Sequence, residues 1–341
     1  MVKTKIFFFV SADNQFNSIR IQINLISNLL EELFDVETEI IHPGVQNFEA
    51  ILKNVMLKDE ILFWHYGGLD IHFNVLNRNN NIIFVYHNIT PPKFFWKTDP
   101  LVSIRSILGK IQLRMMRKKN RWITMSDYNV NELRDIGFKN IILCPNIISK
   151  KTTGLLQKSK EISLLYVGRI SPNKNCIFLL EQVEKVADQL LQPINLVVIG
   201  TAKEGCKYGK SFLEKYESLM SHPYLIINWK KDIQDDELNN LYQESWLYLS
   251  TSLHEGFGVP ACESIANGTP AIYLESGGQE SVLKNIGLVS QKDLFYYQII
   301  ELILDSDRRE KLLEEQCEIV NHFISPNINS IVFQTYKNII V

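Results

Sequence analysis

Residues 250–281 read STSLHEGFGVPACESIANGTPAIYLESGGQES. Pro260 suits the first position of a helix, where its missing N–H is an orphan anyway. Gly268 suits the residue just past the end. The ACESIAN between them makes one to two helical turns, with Glu255 in the loop before the helix and Glu263 in its first turns. Backbone N–H groups at such a loop and helix start favour an anion. Two carboxylates beside an anion site cannot be there to bind phosphate. They suit hydrogen bonds from the hydroxyls of a ligand that also carries phosphate, as a nucleotide sugar does.

Outward from this stretch, strand-like and helix-like runs alternate in both directions. Before it stand SLLYVG (163–168), a helical run 175–191, NLVVIG (195–200), a helix 208–220, LIINW (225–229), a helix 235–244 and WLYLSTS (246–252). Further upstream are KIFFFV (5–10), a helix 20–34, VETEIIH (36–42), ILFWHY (61–66), NIIFVYH (81–87), RWITMS (121–126) and NIILCP (140–145). Alternation of this kind indicates an α/β chain with mostly parallel sheets. The Lys-rich, aperiodic stretch at Ile147 to Lys160 reads as a linker. The expected division is therefore 1–148, a linker 149–160, and 161–325. Two helices are expected over 293–323 and a last one over about 326–341, after the break at Pro326. Ligands bind beyond the carboxyl ends of parallel strands, which singles out Ser11 to Ser18, Gly67-Gly68, His87-Asn88 and Ser126.

The 341 residues, 45% hydrophobic and 22% charged, suit two soluble domains. A net charge of −2 argues against general nucleic-acid binding. Five scattered cysteines argue against a disulfide framework or a zinc site and fit a reducing compartment. The opening MVKTKIFFFV is too short for a membrane span and reads as a first buried strand. No nucleic-acid partner and no metal are expected.

Four further constellations carry chemistry, each beside a plainer reading. Gly168-Arg169 with Lys174 puts two cations in one loop after a strand, suited to phosphate; two solvated surface charges would read the same way. Glu275 to Glu280 includes the adjacent Gly277 and Gly278, whose N–H groups can form an anion nest or a plain turn. His87 ends a strand and precedes a stiff Thr-Pro-Pro; it is either a structural histidine or, at a switch point of the sheet, a sugar-facing or polarising group. From Lys93 to Arg121 there are nine cations against one acid, led by Phe94, Phe95 and Trp96, with Ile104, Ile107, Leu108, Ile111 and Met115 at helical spacing. That segment suits an anionic membrane surface, or equally a core-packed helix with a solvated basic face. Gly205 to Ser211 imitates a P-loop, but three residues separate its glycines where four are needed.

Taken together these residues resemble the retaining nucleotide-sugar glycosyltransferases of family 4 (group 1), of GT-B fold. The resemblance rests on Gly168-Arg169, Lys174-Asn175, the strand ending at Gly200, EGFGVP at 255–260, Glu263, Thr269-Pro270 and Gly277-Gly278. YHNITPP and Ser126-x-Tyr-Asn-x-x-Glu-Leu add to it upstream. It implies two facing Rossmann-like domains with parallel sheets, a cleft between them, and a C-terminal helix packing back on the first. It implies transfer of a hexose-type sugar from a UDP- or GDP-linked donor to a glycan or lipid-linked acceptor in cell-surface polysaccharide synthesis. No metal or other cofactor is implied, and the expected location is cytoplasmic, either free or peripheral on the inner face of the cytoplasmic membrane. Arg169 and Lys174 would hold the diphosphate, Glu263 the ribose, and Glu255 the donor sugar. Gly168, Gly200, Gly256, Phe257, Gly258, Val259, Gly277 and Gly278 would line the donor site, with His87 near the sugar. The acceptor or membrane side would include Asn14, Asn88, Phe94, Phe95, Trp96, Arg114, Arg117 and Lys118. The loop Ser11–Ser18 lacks the glycines usual there, and His254 stands where an aromatic is common. A silent partner protein, or a hydrolase or epimerase on the same fold, are the competing readings.

Overall fold

The computed structural model describes residues 4–11, 18–57, 60–77, 82–150, 158–203 and 205–340. The chain forms two compact units. One comprises Met1–Pro92, Ile104–Ile147 and Ser325–Val341; the other comprises Lys93–Ser103 and Ile148–Ile324.

The first unit is built on six parallel strands: β1 (Thr4–Val10), β2 (Val36–Ile41), β3 (Ile61–Tyr66), β4 (Ile82–Tyr86), β5 (Arg121–Thr124) and β6 (Ile141–Leu143). Their order is β2-β1-β3-β4-β5-β6. β1, β3 and β4 are almost continuous apolar runs because both faces of the sheet are covered. One face packs Phe9, Trp64, Tyr66, Phe84, Tyr86 and Trp122 into a single aromatic core. The C-terminal helix Asn329–Ile340 belongs to this unit, with Phe333 stacked on Phe34 at 4.8 Å and the Tyr336 ring tilted against Phe63 at 5.0 Å.

The second unit repeats the plan with β7 (Ile162–Val167), β8 (Ile194–Ile199), β9 (Leu225–Lys230), β10 (Leu247–Ser250), β11 (Ala271–Leu274) and β12 (Leu288–Val289), all parallel. The order is β12-β11-β10-β7-β8-β9. The chain runs from β7 outward to β9 and then returns to β10 on the other side of β7. That reversal brings the loops after β7 and β10 together, the place where α/β sheets bind ligands. In the first unit the reversal lies between β1 and β3. His87 follows β4, so its expected switch-point position is corrected by one strand.

The expected linker is tied down at its start. Ile147 exchanges two hydrogen bonds with the Gln22 amide, at 2.9 and 2.8 Å. The next residue, Ile148, donates to Phe323 O in the second unit. Residues 151–157 lie outside the described residues, and so do Asn14 and most of the Ser11–Ser18 loop.

Candidate active site

In the second unit, three strand-end loops are sewn to one another by backbone and side-chain hydrogen bonds. The loop after β7 makes a 3-10 turn, Pro172–Lys174, and Asn175 then takes a left-handed φ of 56° before the helix Cys176–Leu190. Leu253 N, after β10, donates to Asn173 O at 2.8 Å, and Thr251 Oγ1 donates to the Lys174 and Asn175 carbonyls at 3.1 and 3.2 Å. On the other side, Glu255 N donates to Ser276 O at 2.9 Å and Gly278 N to Glu255 O at 3.0 Å. Those contacts place Lys174 beside Glu255, and the two side chains form an ion pair. Their exposures are 17% and 15%, so the pair is mostly withdrawn from water. Arg169 is exposed and has no carboxylate partner among the described residues.

The glycines have specific neighbours. A Cβ on Gly200 would collide with the Gly168 carbonyl oxygen, so this position closes the β7 and β8 loop ends backbone to backbone. A Cβ on Gly278 would stand 2.6 Å from Glu255 O, which is why that loop meets the Glu255 backbone so closely. Gly258 precedes the helix Val259–Ala266 at φ 91°, and Gly277 precedes the helix Gly278–Leu283 at φ 92°; both conformations favour glycine.

Glu263 has a different environment from Glu255. On the helix Val259–Ala266, it accepts from the Tyr242 hydroxyl at 3.2 Å. Tyr248 is buried within the electrostatic reach of both carboxylates and donates to Val167 O at 3.1 Å. Burial first, then Glu255, hold its phenol well above the ordinary range. Phe257 is buried and packs edge-on against Phe323 at 5.5 Å, so its ring serves the core. Val259 is half-buried. His254 is buried, with its ring 6.1 Å from that of Phe94, which belongs to this unit through the segment Lys93–Ser103.

In the first unit, His87 does not stand alone. Its Nε2 lies 2.7 Å from Nδ1 of His65 on β3, and the rings stack at 5.0 Å. Burial lowers His87 to about 3, and burial followed by His87 lowers His65. Asn88 takes φ 67° and is buried; its amide donates to Asn129 Oδ1 at 2.7 Å and to Glu132 Oε2 at 3.3 Å. Tyr86 also donates to Glu132, at 2.8 Å. Asn88 therefore shapes the loop.

The basic segment forms the helix Pro100–Met115. Its buried side is Ser103, Ser106, Gly109 and Leu113, with Met116 just beyond its end. Leu101, Ile104, Ile107, Leu108, Ile111 and Met115 are exposed, Leu101 at 69% and Met115 at 63%. Trp96 is 60% exposed and Phe95 is half-buried. The helix packs on its unit through Gly109 and Leu113, while the apolar residues at helical spacing, Ile104, Ile107, Leu108, Ile111 and Met115, are exposed. Arg114 and Arg117 are exposed, and Lys118 donates to Ile136 O at 2.8 Å beneath the Phe138 ring.

Sequence reasoning missed His65, Tyr242, Gln279 and Asp70. Buried Gln279 accepts from Ser250 and Ser276 at 2.9 and 3.1 Å. Buried Asp70 accepts from Ser11, Trp64 and His72 N at 2.6, 2.8 and 2.8 Å, tying the end of β1 to the loop after β3. A polar residue inside an apolar strand, as His65 is in ILFWHY, was the available signal. Among the described residues, no three His, Cys, Asp or Glu side chains are grouped to hold a metal ion, and no helix is long and apolar enough to cross a membrane.

Two six-stranded parallel α/β units with this strand order are the GT-B fold. The structure superposes on sucrose-phosphate synthase from Thermosynechococcus elongatus with a TM-score of 0.77 at 15% identity, covering 99% of both chains. It also superposes on Anabaena HepE, solved with UDP and glucose, with a TM-score of 0.71 at 14% identity, covering 98% of this chain and 100% of that one. Residues 149–317 match the family model "Glycosyl transferases group 1". Among curated relatives, the O-antigen chain mannosyltransferase RfbU of Salmonella typhimurium is 24% identical over 226 residues, 65% of this chain. The chain covers 59% of that relative's length, and less of the other curated relatives it matches.

Proposed function

We propose that the protein is a retaining glycosyltransferase that moves a hexose-type sugar from a UDP- or GDP-linked donor to a glycan or lipid-linked acceptor in cell-surface polysaccharide synthesis. The observation that carries this reading is the joining of the β7 and β10 loops, which sets Lys174 against Glu255 at the sheet's reversal point, with Arg169 exposed in the same loop as Lys174. A diphosphate offers Lys174 a doubly charged partner in place of one carboxylate, and Arg169 adds a bidentate donor. Released from Lys174, Glu255 accepts from sugar hydroxyls, while Glu263 accepts from the ribose. Cationic side chains and backbone N–H groups near Gly256 and Gly277-Gly278 stabilise the leaving diphosphate with no metal required. His87 is the group of the first unit proposed to touch substrate. A thermal-shift screen of nucleotide sugars identifies the donor, since a ligand bound only by the folded state raises the apparent Tm. NMR of the product's anomeric configuration tests retention; an inverted product removes that part of the reading.

The exposed stripe on Pro100–Met115, flanked by Arg105 and Arg114, supports docking on an anionic membrane surface at the cytoplasmic face. Apolar side chains at positions 101, 104, 108, 111 and 115 follow one side of a helix, and exposed patches of this kind mark interaction sites. Co-sedimentation with vesicles containing phosphatidylglycerol tests it, and binding equal to that of neutral vesicles counts against it.

A further inference from the structure

His65 and His87 form a linked pair whose proton arrangement the surroundings decide. Each neutral imidazole carries one N–H, and the 2.7 Å contact between His65 Nδ1 and His87 Nε2 uses one of them. In the first arrangement His65 donates from Nδ1. His65 Nε2 is then a bare lone pair, and His87 carries its own proton on Nδ1. In the second, His87 donates from Nε2, His65 Nε2 must carry a proton, and His87 Nδ1 is bare. His65 is 4% exposed, and its Nε2 is buried with no hydrogen-bond partner among the described residues. An orphaned buried N–H is rarer in proteins than an under-used acceptor. A buried donor left unmade costs about 1–3 kcal/mol. The first arrangement avoids that cost.

We infer that His65 is a positioning residue that holds His87 in the Nδ1–H tautomer, so that His87 offers substrate an N–H donor and not a base. The functional half rests on the proposal above that His87 touches substrate; the tautomer itself does not. The low basicity of both rings keeps the pair neutral through the physiological range. With Nε2 occupied, Nδ1 is the nitrogen of His87 left for a ligand oxygen. A neutral donor suits a sugar hydroxyl or ring oxygen, and it takes no proton from the acceptor nucleophile.

The test is 15N-detected NMR of histidine-labelled protein, with His65→Leu and His65→Asn variants. In the wild type, His87 Nδ1 is expected to show the protonated shift and Nε2 the shift of a hydrogen-bonded acceptor. His65→Leu removes the donor, and His87 reverts toward the Nε2–H form that free histidine prefers. Transfer then falls by about tenfold, the equivalent of one hydrogen bond. His65→Asn keeps an N–H near the Nδ1 position and restores both the tautomer and most of the rate. A wild-type His87 protonated on Nε2, or an unchanged tautomer in His65→Leu, overturns the inference. Full activity in His87→Gln removes the substrate contact instead, while the NMR spectra still decide what His65 does.

Discussion

Lys174 and Glu255 are 81 residues apart in the chain and form an ion pair between the loops after β7 and β10. Each is the other's compensation in a site largely shielded from water. Breaking such a pair from one side leaves a stranded charge, which costs more than removing both partners. Lys174→Ala is therefore expected to lower stability by roughly 1–3 kcal/mol. The double variant Lys174→Met/Glu255→Gln should regain most of that loss while still failing to bind donor. Urea unfolding and calorimetric titration with the donor separate the two effects; donor binding by the double variant at wild-type affinity refutes the assignment.

The two glutamates are expected to do different work. Glu263 is held by Tyr242, and Glu255 by Lys174. If Glu263 binds the ribose, Glu263→Gln weakens nucleotide binding by about tenfold, in line with a hydrogen bond to a charged group. A deoxyribose analogue should then bind the variant no worse than the ribose form does. Tyr242→Phe should raise KM for the donor several-fold with kcat little changed, since it loosens Glu263 without touching the reacting sugar. Additive losses from Glu263→Gln and the deoxy analogue argue against a ribose contact.

Much of the fold was legible because buried parallel strands are apolar runs, and IFFFV, ILFWHY and NLVVI could hardly be anything else. The helix Cys176–Leu190 lies within one residue at each end of the expected span. The short helices Phe73–Leu76 and Gly278–Leu283 escaped because they are too brief to show a period. The spacing of Ile104, Leu108 and Ile111 shows that a helix has an apolar face but not which way that face points. Here Gly109 is the small residue that lets the helix sit close to the loop after β3: a Cβ on it would stand 2.8 Å from the Gly68 carbonyl carbon, and its own O accepts from Tyr66 at 2.6 Å. Gly200 was legible as the end of a strand. That its neighbour is the Gly168 backbone needed the fold.

That outward face gives a test on the surface alone. Leu108→Glu and Ile111→Glu replace exposed apolar groups with charges and should change stability by no more than about 0.5 kcal/mol. Both should sharply reduce binding to anionic vesicles, and wild-type binding should weaken as salt rises. Vesicle binding unaffected by either variant rules out this face as the docking surface.

Lys158 supplies a pH dependence. Its ammonium donates to Ser245 O at 2.6 Å and Thr269 Oγ1 at 2.5 Å, with no carboxylate paired to it among the described residues. Burial, and then the Arg309 guanidinium, push it down to about 8. The unfolded chain binds this proton more tightly than the folded one, so the charged lysine destabilises the fold below pH 8. That penalty, on the order of 2–3 kcal/mol, is relieved as pH rises from 8 toward the ordinary lysine range. Chemical denaturation at pH 7.5 and pH 9.5 should show the wild type gaining on Lys158→Met across that interval. A constant difference between the two places the lysine in water.

The assignment of the β7 and β10 loops to the donor is tested most directly by transfer itself. With the donor found in the thermal-shift screen, nucleoside diphosphate release in the presence of acceptor is measured for wild type, Lys174→Ala, Arg169→Ala and Glu255→Ala, each checked for folding by circular dichroism. The expected result is turnover by the wild type and a loss of at least about 100-fold in each folded variant, the scale seen when one electrostatic donor is removed from a transition state. Wild-type rates in folded Lys174→Ala and Glu255→Ala would contradict the proposed mechanism.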